Sequence, residues 1–348
     1  MATRIYLDHA ATTPLLPAAR DAMLAGFADW ANPSSPHAAG RRARALLEEA
    51  RRRIAAALDW DGPVIFTGGA SEAIALALGR TVAREVRAGA TEHDAVLRAI
   101  PPDRRIAVDG EGIVRLADDP APGTLFAIQQ VNSETGVIQP LDALAERIHA
   151  GGGLLFADCS QSAGKLPLPV HADMIAVSAH KLGGPIGIGA LLVRDLARLR
   201  PGGGQEQGYR PGTEAMPLAL GFAAALEADR AWLAHAAGWR ARLDAGIRAA
   251  GGMVVAEGAP RLPTIGSYRM PGVSAQAQLI RFDMAGFAVS AGSACSSGSL
   301  RPSHVLAAMG WEDAASGEVL RVSLGHDTRD EAIDAFLAQW HAMATGTR

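Results

Sequence analysis

Only two cysteines occur in 348 residues, Cys159 and Cys295, and neither belongs to a CxxC pair or a metal-ligand spacing. That scarcity argues against a disulfide framework and a structural zinc site, and it fits a reducing cytoplasm. No uncharged apolar run approaches the roughly 20 residues that cross a bilayer. Met1 to Arg4 lead into a polar loop rather than an apolar stretch, so no export signal is expected and a cytoplasmic setting fits again. Charge of one sign is lacking too. The 33 Lys and Arg against 36 Asp and Glu leave a net charge of −3, which supplies no bulk attraction to nucleic acid or an acidic membrane. The arginine-dense segment 41–53 does not alter this. Arg44 and Glu48, Glu48 and Arg52, and Glu49 and Arg53 stand four apart, the spacing of a salt-bridged helix face. No internal repeat or low-complexity linker is visible.

What is present is apolar and alternating. Hydrophobic residues make up 49% of the chain, enough to fill the cores of two packed domains. The pattern predicts helices over 43–58, 71–87 and 140–150, with apolar strands over 63–67, 124–130, 153–158, 173–178 and 189–194. Such alternation argues for an α/β fold with a mainly parallel sheet covered by helices. A helix-rich stretch over 215–250 leads to a smaller unit. There the pattern predicts strands over 252–257, 264–270, 287–291 and 319–325, and helices near 274–284, 302–309 and 328–344.

Three strand ends carry chemistry. The strand up to Val177 delivers Ser178, His180 and Lys181 into a glycine-rich turn. A lysine there loses solvation, which favours the neutral amine able to form a Schiff base; the plain alternative is a surface lysine in a turn. Asp158 closes another apolar run, at the edge where open α/β sheets place ligands. A carboxylate at that edge can hold a proton on a pyridine nitrogen, as pyridoxal phosphate requires, or it can cap a turn through Ser160. A third strand runs through Gly68 and Gly69 into a helix opened by Ala70 and Ser71. Its free N–H groups suit a phosphate, and they suit an ordinary βα turn equally well.

Taken in chain order, these runs resemble the cysteine desulfurases, within the class V aminotransferase branch of fold-type I pyridoxal phosphate enzymes. The resemblance rests on Tyr6-Leu-Asp-His-Ala-Ala-Thr-Thr-Pro, Asn32-Pro-Ser-Ser-Pro-His, Thr67-Gly-Gly-Ala-Ser-Glu, Glu92-His93 and Val131-Asn-Ser-Glu-Thr-Gly. It continues through Asp158-Cys-Ser-Gln-Ser-Ala-Gly-Lys, Ser178-Ala-His-Lys, the glycine-rich run 202–214, Ser290-Ala-Gly-Ser-Ala-Cys-Ser-Ser-Gly-Ser-Leu and Leu320-Arg-Val-Ser-Leu-Gly. It implies a large pyridoxal-phosphate-binding domain over 12–233 with a mainly parallel seven-stranded sheet. A small α+β domain is implied from 1–11 and 234–348, carrying the catalytic cysteine loop.

The same resemblance implies roles. Lys181 would be the Schiff-base lysine, Asp158 the partner of the pyridine nitrogen and His93 the ring that stacks on the cofactor. Gln161 would bond the phenolic oxygen, and Ala70, Ser71, Ser178 and His180 would hold the phosphate. Thr213 would reach that phosphate from the second subunit of a homodimer. Asn132 and Arg321 would bind the substrate carboxylate, although Arg321 read alone could equally face outward on an edge strand. Cys295, in a run of small residues with no bulky anchor, would take the sulfur of L-cysteine as a persulfide, leave L-alanine, and pass the sulfur to an acceptor or iron-sulfur scaffold protein. Cys159 reads as packing. The alternatives are a selenocysteine lyase or another class V aminotransferase, or a non-catalytic scaffold of the same fold. Several positions depart from the family pattern: His9 stands where Asn is common, Gly69, Ser71 and Ala73 alter the phosphate turn, and Ser133 and Thr135 alter the Asn132 run. The interval from His93 to Asn132 is short, as is the chain after Gly325.

Overall fold

A computed structural model of the chain describes residues 4–117, 119–294 and 300–346. Cys295 therefore lies outside the described residues. The chain opens with strand β1 (Ile5–Tyr6) and helices α1 (Pro17–Ala28) and α2 (Ala38–Ala57). There follow β2 (Val64–Thr67), α3 (Ala70–Arg80), β3 (Glu85–Gly89), α4 (Asp94–Leu97), β4 (Arg105–Ile106), β5 (Thr124–Gln129) and α5 (Leu141–Ala150). Strands β6 (Leu154–Asp158), β7 (Met174–Ser178) and β8 (Gly189–Val193) complete a seven-stranded sheet of order β2-β8-β7-β6-β5-β3-β4. Only β8 runs antiparallel to its neighbours. Strands β6 to β8 are buried along their whole length, as a sheet covered on both faces demands. Helix α2 turns Ala43, Leu47, Ala50 and Ile54 inward, the spacing of one helical face.

The expected helix over 71–87 is corrected here. Helix α3 stops at Arg80, the chain turns at Thr81, and 85–89 becomes β3, paired in parallel with β5. The Ala-rich composition continues the helical pattern, and pairing with β5 and β4 makes the strand. Helix α4 is a single turn. On α2, Glu48 pairs with Arg44 and Arg51, not with Arg52 as the spacing suggested. Arg51 also reaches Glu206 at 2.6 Å, so this face is tied to the protein interior.

Residues 215–250 form two helices, α6 (Met216–Glu227) and α7 (Leu233–Ala249). Beyond them, β9 (Met253–Val254), β10 (Ile265–Arg269), α8 (Ala275–Met284), β11 (Phe287–Ala288), α9 (His304–Ala308), α10 (Asp313–Ser316), β12 (Val319–Ser323) and α11 (Asp330–Ala344) follow in order. Strand β10 lies antiparallel between β12 and β9. A second core gathers here around Tyr268, Phe282, Phe336 and Trp340, with the Phe282 and Phe336 rings stacked at 4.7 Å. Strand β1 pairs with β11, so the start of the chain joins this core. Residues 8–13 then cross to the large sheet, where Thr13 N donates to His180 O at 2.9 Å. No helix among the described residues is long and apolar enough to cross a membrane.

Candidate active site

Strand register assembles the site. Thr67 and Ser178 both stand opposite Gly189, while Asp158 stands opposite Ala176 and Gln129. The ends of β2, β8, β7, β6 and β5 thus meet along one edge of the sheet. Above that edge lies a cavity of about 550 Å³ lined by Gly69, Ala70, Ser71, His93, Asp158, Gln161, Ser178, His180 and Lys181. Eight of the expected site residues therefore share one wall: Ala70, Ser71, His93, Asp158, Gln161, Ser178, His180 and Lys181.

Lys181 Nζ donates to Ala10 O at 2.6 Å. Burial pulls its pKa from 10.5 down to about 8, helped by the Arg321 charge and opposed by Asp158 and Asp8. Burial also lowers His180 to about 4, with Lys181 adding to the effect, so the His180 imidazole is neutral at physiological pH. His180 Nδ1 lies 3.1 Å from Thr12 Oγ1. His93 is both a helix cap and a cavity residue, since its Nδ1 accepts from Ala95 N at 3.1 Å while its ring faces the cavity. Burial lowers its pKa, with Lys181 and His304 adding to this and Asp158 opposing it. Asp158 caps its own turn as well, with Oδ1 accepting from Ser160 N at 2.9 Å and Ser160 Oγ at 2.5 Å.

The cavity fits a flat phosphorylated ring. Gly69, with φ of 147°, leaves open space where a Cβ would stand, directly before the free N–H groups of α3. At Gly189 a Cβ would lie 2.5 Å from Val177 O and 2.8 Å from Gly69 Cα, so only glycine admits this close strand approach. Gln161 donates through Nε2 to Ala10 O at 2.9 Å. Its buried Oε1 has no hydrogen-bond partner, the state of a group set for a ligand.

Arg321 faces inward rather than outward. It is 9% exposed, donates to Asp8 Oδ1 at 2.8 Å and Ser133 O at 3.0 Å, and keeps a buried, unpartnered Nε. It lines a smaller cavity of about 220 Å³ together with His93, Lys181 and Ser133. Asn132 does not line either cavity. Its Oδ1 accepts from Glu134 N, Thr135 N and Thr135 Oγ1, and its Nδ2 donates to Thr91 O. It therefore shapes the loop that presents Ser133. Thr213 is exposed and absent from its own chain's cavity wall.

Three residues here escaped the motif reading. Asp8 is the countercharge of Arg321. Glu92 is fully buried, with its pKa raised well above the carboxylate range by burial and by Asp158. His304 donates from Nε2 to Glu92 O at 2.8 Å. Asp8 and Glu92 both stand in the family runs, and for Asp8 the available signal was a charge between apolar Leu7 and His9. Cys159 is buried and free, as packing requires. Among the described residues, no group of three or more His, Cys, Asp or Glu could hold a metal.

Comparison with known proteins identifies the family. The profile of the class-V aminotransferases matches residues 5–336. A cysteine desulfurase of Klebsiella pneumoniae is 38% identical, covering 96% of this chain and 91% of that protein. One from Gluconacetobacter diazotrophicus is 37% identical over the same shares. Among solved structures, a NifS-like protein of Rickettsia africae superposes with a TM-score of 0.89 at 28% identity, covering 99% of both chains. The chain belongs to the class-V aminotransferase family, whose members work with pyridoxal phosphate.

Proposed function

We propose that this protein is a pyridoxal-phosphate-dependent cysteine desulfurase. It converts L-cysteine to L-alanine and passes the sulfur through a Cys295 persulfide to an acceptor protein. One observation carries the reading: a lysine poised near neutral pH, a carboxylate, an unpartnered amide oxygen and a histidine face share one 550 Å³ cavity. Relatives named cysteine desulfurase across nearly the whole chain favour it over the other class V reactions.

When bound, pyridoxal phosphate supplies an electron sink for the electrons freed at the substrate Cα. Gly69, Ala70, Ser71, Ser178 and His180 would hold its phosphate, Asp158 its ring nitrogen, Gln161 its phenolic oxygen and His93 its face. Neutral Lys181 Nζ takes the Cα proton, a role its lowered pKa favours. Arg321 binds the substrate carboxylate, with Asp8 and Ser133 O holding the guanidinium in place. The Cys295 thiolate attacks the substrate sulfur, and an S–S bond forms as the Cβ–S bond breaks. Protons return to the carbon skeleton from Lys181 and His93. Atoms and electrons balance: cysteine and one enzyme thiol become alanine and one persulfide.

The reading includes a homodimer with Thr213 crossing the interface, a division at residues 233/234, and a cytoplasmic setting. The switch of cores between Leu226 and Ala236 supports that boundary. Replacing Cys295 by alanine tests the sulfur path. The variant should keep its cofactor absorbance but deliver no labelled sulfur from cysteine to an acceptor, and undiminished delivery would refute the nucleophile.

A further inference from the structure

Helix α4 is a single turn, and the outer flank of α3 borders a hollow of about 760 Å³ that reaches Arg200. A second hollow of about 580 Å³ shares Arg98, Ile100 and Pro101 with it, is lined also by Asp94 and Arg105, and runs on to His304. Arg84, Arg98, Arg104 and Arg200 line the larger hollow, all four exposed, and no Asp or Glu lines it.

Elsewhere on the chain, arginines such as Arg44, Arg53, Arg194, Arg210 and Arg242 hold carboxylates. None of these four has an ion pair among the described residues. Arg84 donates to Pro122 O and Arg98 to Asp94 O, which are backbone contacts. Four guanidinium groups that line one hollow and make no ion pair among the described residues, on a chain of net charge −3, form a local field that attracts anions. The ends of this groove matter. Ser71 belongs both to it and to the cofactor cavity. His304, at the other end, follows the segment that carries Cys295 and is bonded to Glu92 O beside His93.

We propose that this groove docks an acidic segment of the protein that receives sulfur from Cys295. The proposal rests on the desulfurase reading, because only a persulfide needs such a recipient. Guanidinium forks match carboxylates, and a bound chain would end at His304, nine residues after Cys295 in the sequence. The acceptor thiolate attacks the outer sulfur of the persulfide, and a new S–S bond forms as the bond to Cys295 breaks. Cys295 leaves as a thiolate, so no external oxidant or reductant enters.

The test uses the holoenzyme with a fluorescein-labelled oligoglutamate peptide ending in cysteine, and an oligoglutamine counterpart. Anisotropy should show binding of the acidic peptide alone, weakening with salt, and labelled sulfur from cysteine should pass to it preferentially. The side chains of Arg104 and Arg200 make no bond among the described residues, so Arg104→Gln with Arg200→Gln removes charge without removing a contact in the fold. This variant should bind the acidic peptide and transfer sulfur to it about ten-fold less well, with alanine formation in dithiothreitol unchanged. Adding Arg84→Gln and Arg98→Gln should deepen the loss. Equal binding of both peptides, or unchanged binding by the variants, would overturn the proposal. So would displacement of the peptide by a single-stranded oligothymidylate that binds more tightly. A dimer-to-monomer shift in sedimentation on the double substitution would also overturn it, by giving the groove to a second copy of the chain. Failure of the wild type to form alanine would defeat the desulfurase reading instead, and anisotropy would still decide the docking surface.

Discussion

Covalent capture of pyridoxal phosphate by the cofactor-free protein should follow the protonation of Lys181. Its fall from 10.5 to about 8 corresponds to about 3 kcal/mol of preference for the neutral amine. At pH 7.5 about one amine in four is then neutral, where an ordinary lysine offers about one in a thousand. The capture rate should rise about ten-fold per pH unit below 8 and level off above it. Stopped-flow absorbance measures the rate, and borohydride reduction with peptide mapping locates the amine. Lys165 provides a stringent internal control. Burial, with Lys181 and Arg230 adding to it, lowers its pKa to about 7, so reactivity alone does not favour position 181. A rate that climbs steadily toward pH 10.5, or an adduct on Lys165, would refute the reasoning. A stability corollary has a definite sign. Between pH 8 and 10.5 the unfolded chain holds this proton and the folded chain does not, so stability should rise with pH through that window.

Other expectations follow from individual contacts. Arg321→Gln removes a charged donor worth about 1.5–3 kcal/mol. The KM for cysteine should rise about ten- to a hundred-fold with a smaller change in kcat, and an unchanged KM would contradict the assignment. Asp158→Asn cannot retain a proton on a ring nitrogen, so alanine formation should fall by about a hundred-fold or more, and full activity would exclude the role. Glu206 accepts from Arg51 at 2.6 and 2.9 Å and from Phe66 N at 2.8 Å. Glu206→Ala should cost about 3 kcal/mol of unfolding free energy in denaturant titrations, and a loss below about 1 kcal/mol would show that Arg51 finds another partner.

Much of the sheet was legible because β5, β6, β7 and β8 are short apolar runs flanked by glycine or polar residues, and both faces are buried. Strand β3 was not legible. Its sequence, Glu-Val-Arg-Ala-Gly, continues an Ala-rich helical stretch, and it is a strand by the ladders it forms with β5 and β4. The cavity residues were legible as motifs, since Asp158, Ser178 and Lys181 stand at or just beyond strand ends.

The chain order of strand ends, glycines and their chemical side chains was determined by the sequence alone, because residue type and the length of an apolar run are local properties. Which partners those side chains take was decided by tertiary structure. Asp8 and Arg321 are far apart in sequence yet 2.8 Å apart in the fold, and Ala10 O meets Lys181 only because residues 8–13 cross between two cores. The low pKa of Lys181 and the uncompensated arginines beside α3 belong to the same class. Burial and the distances between charges exist only once the chain is folded.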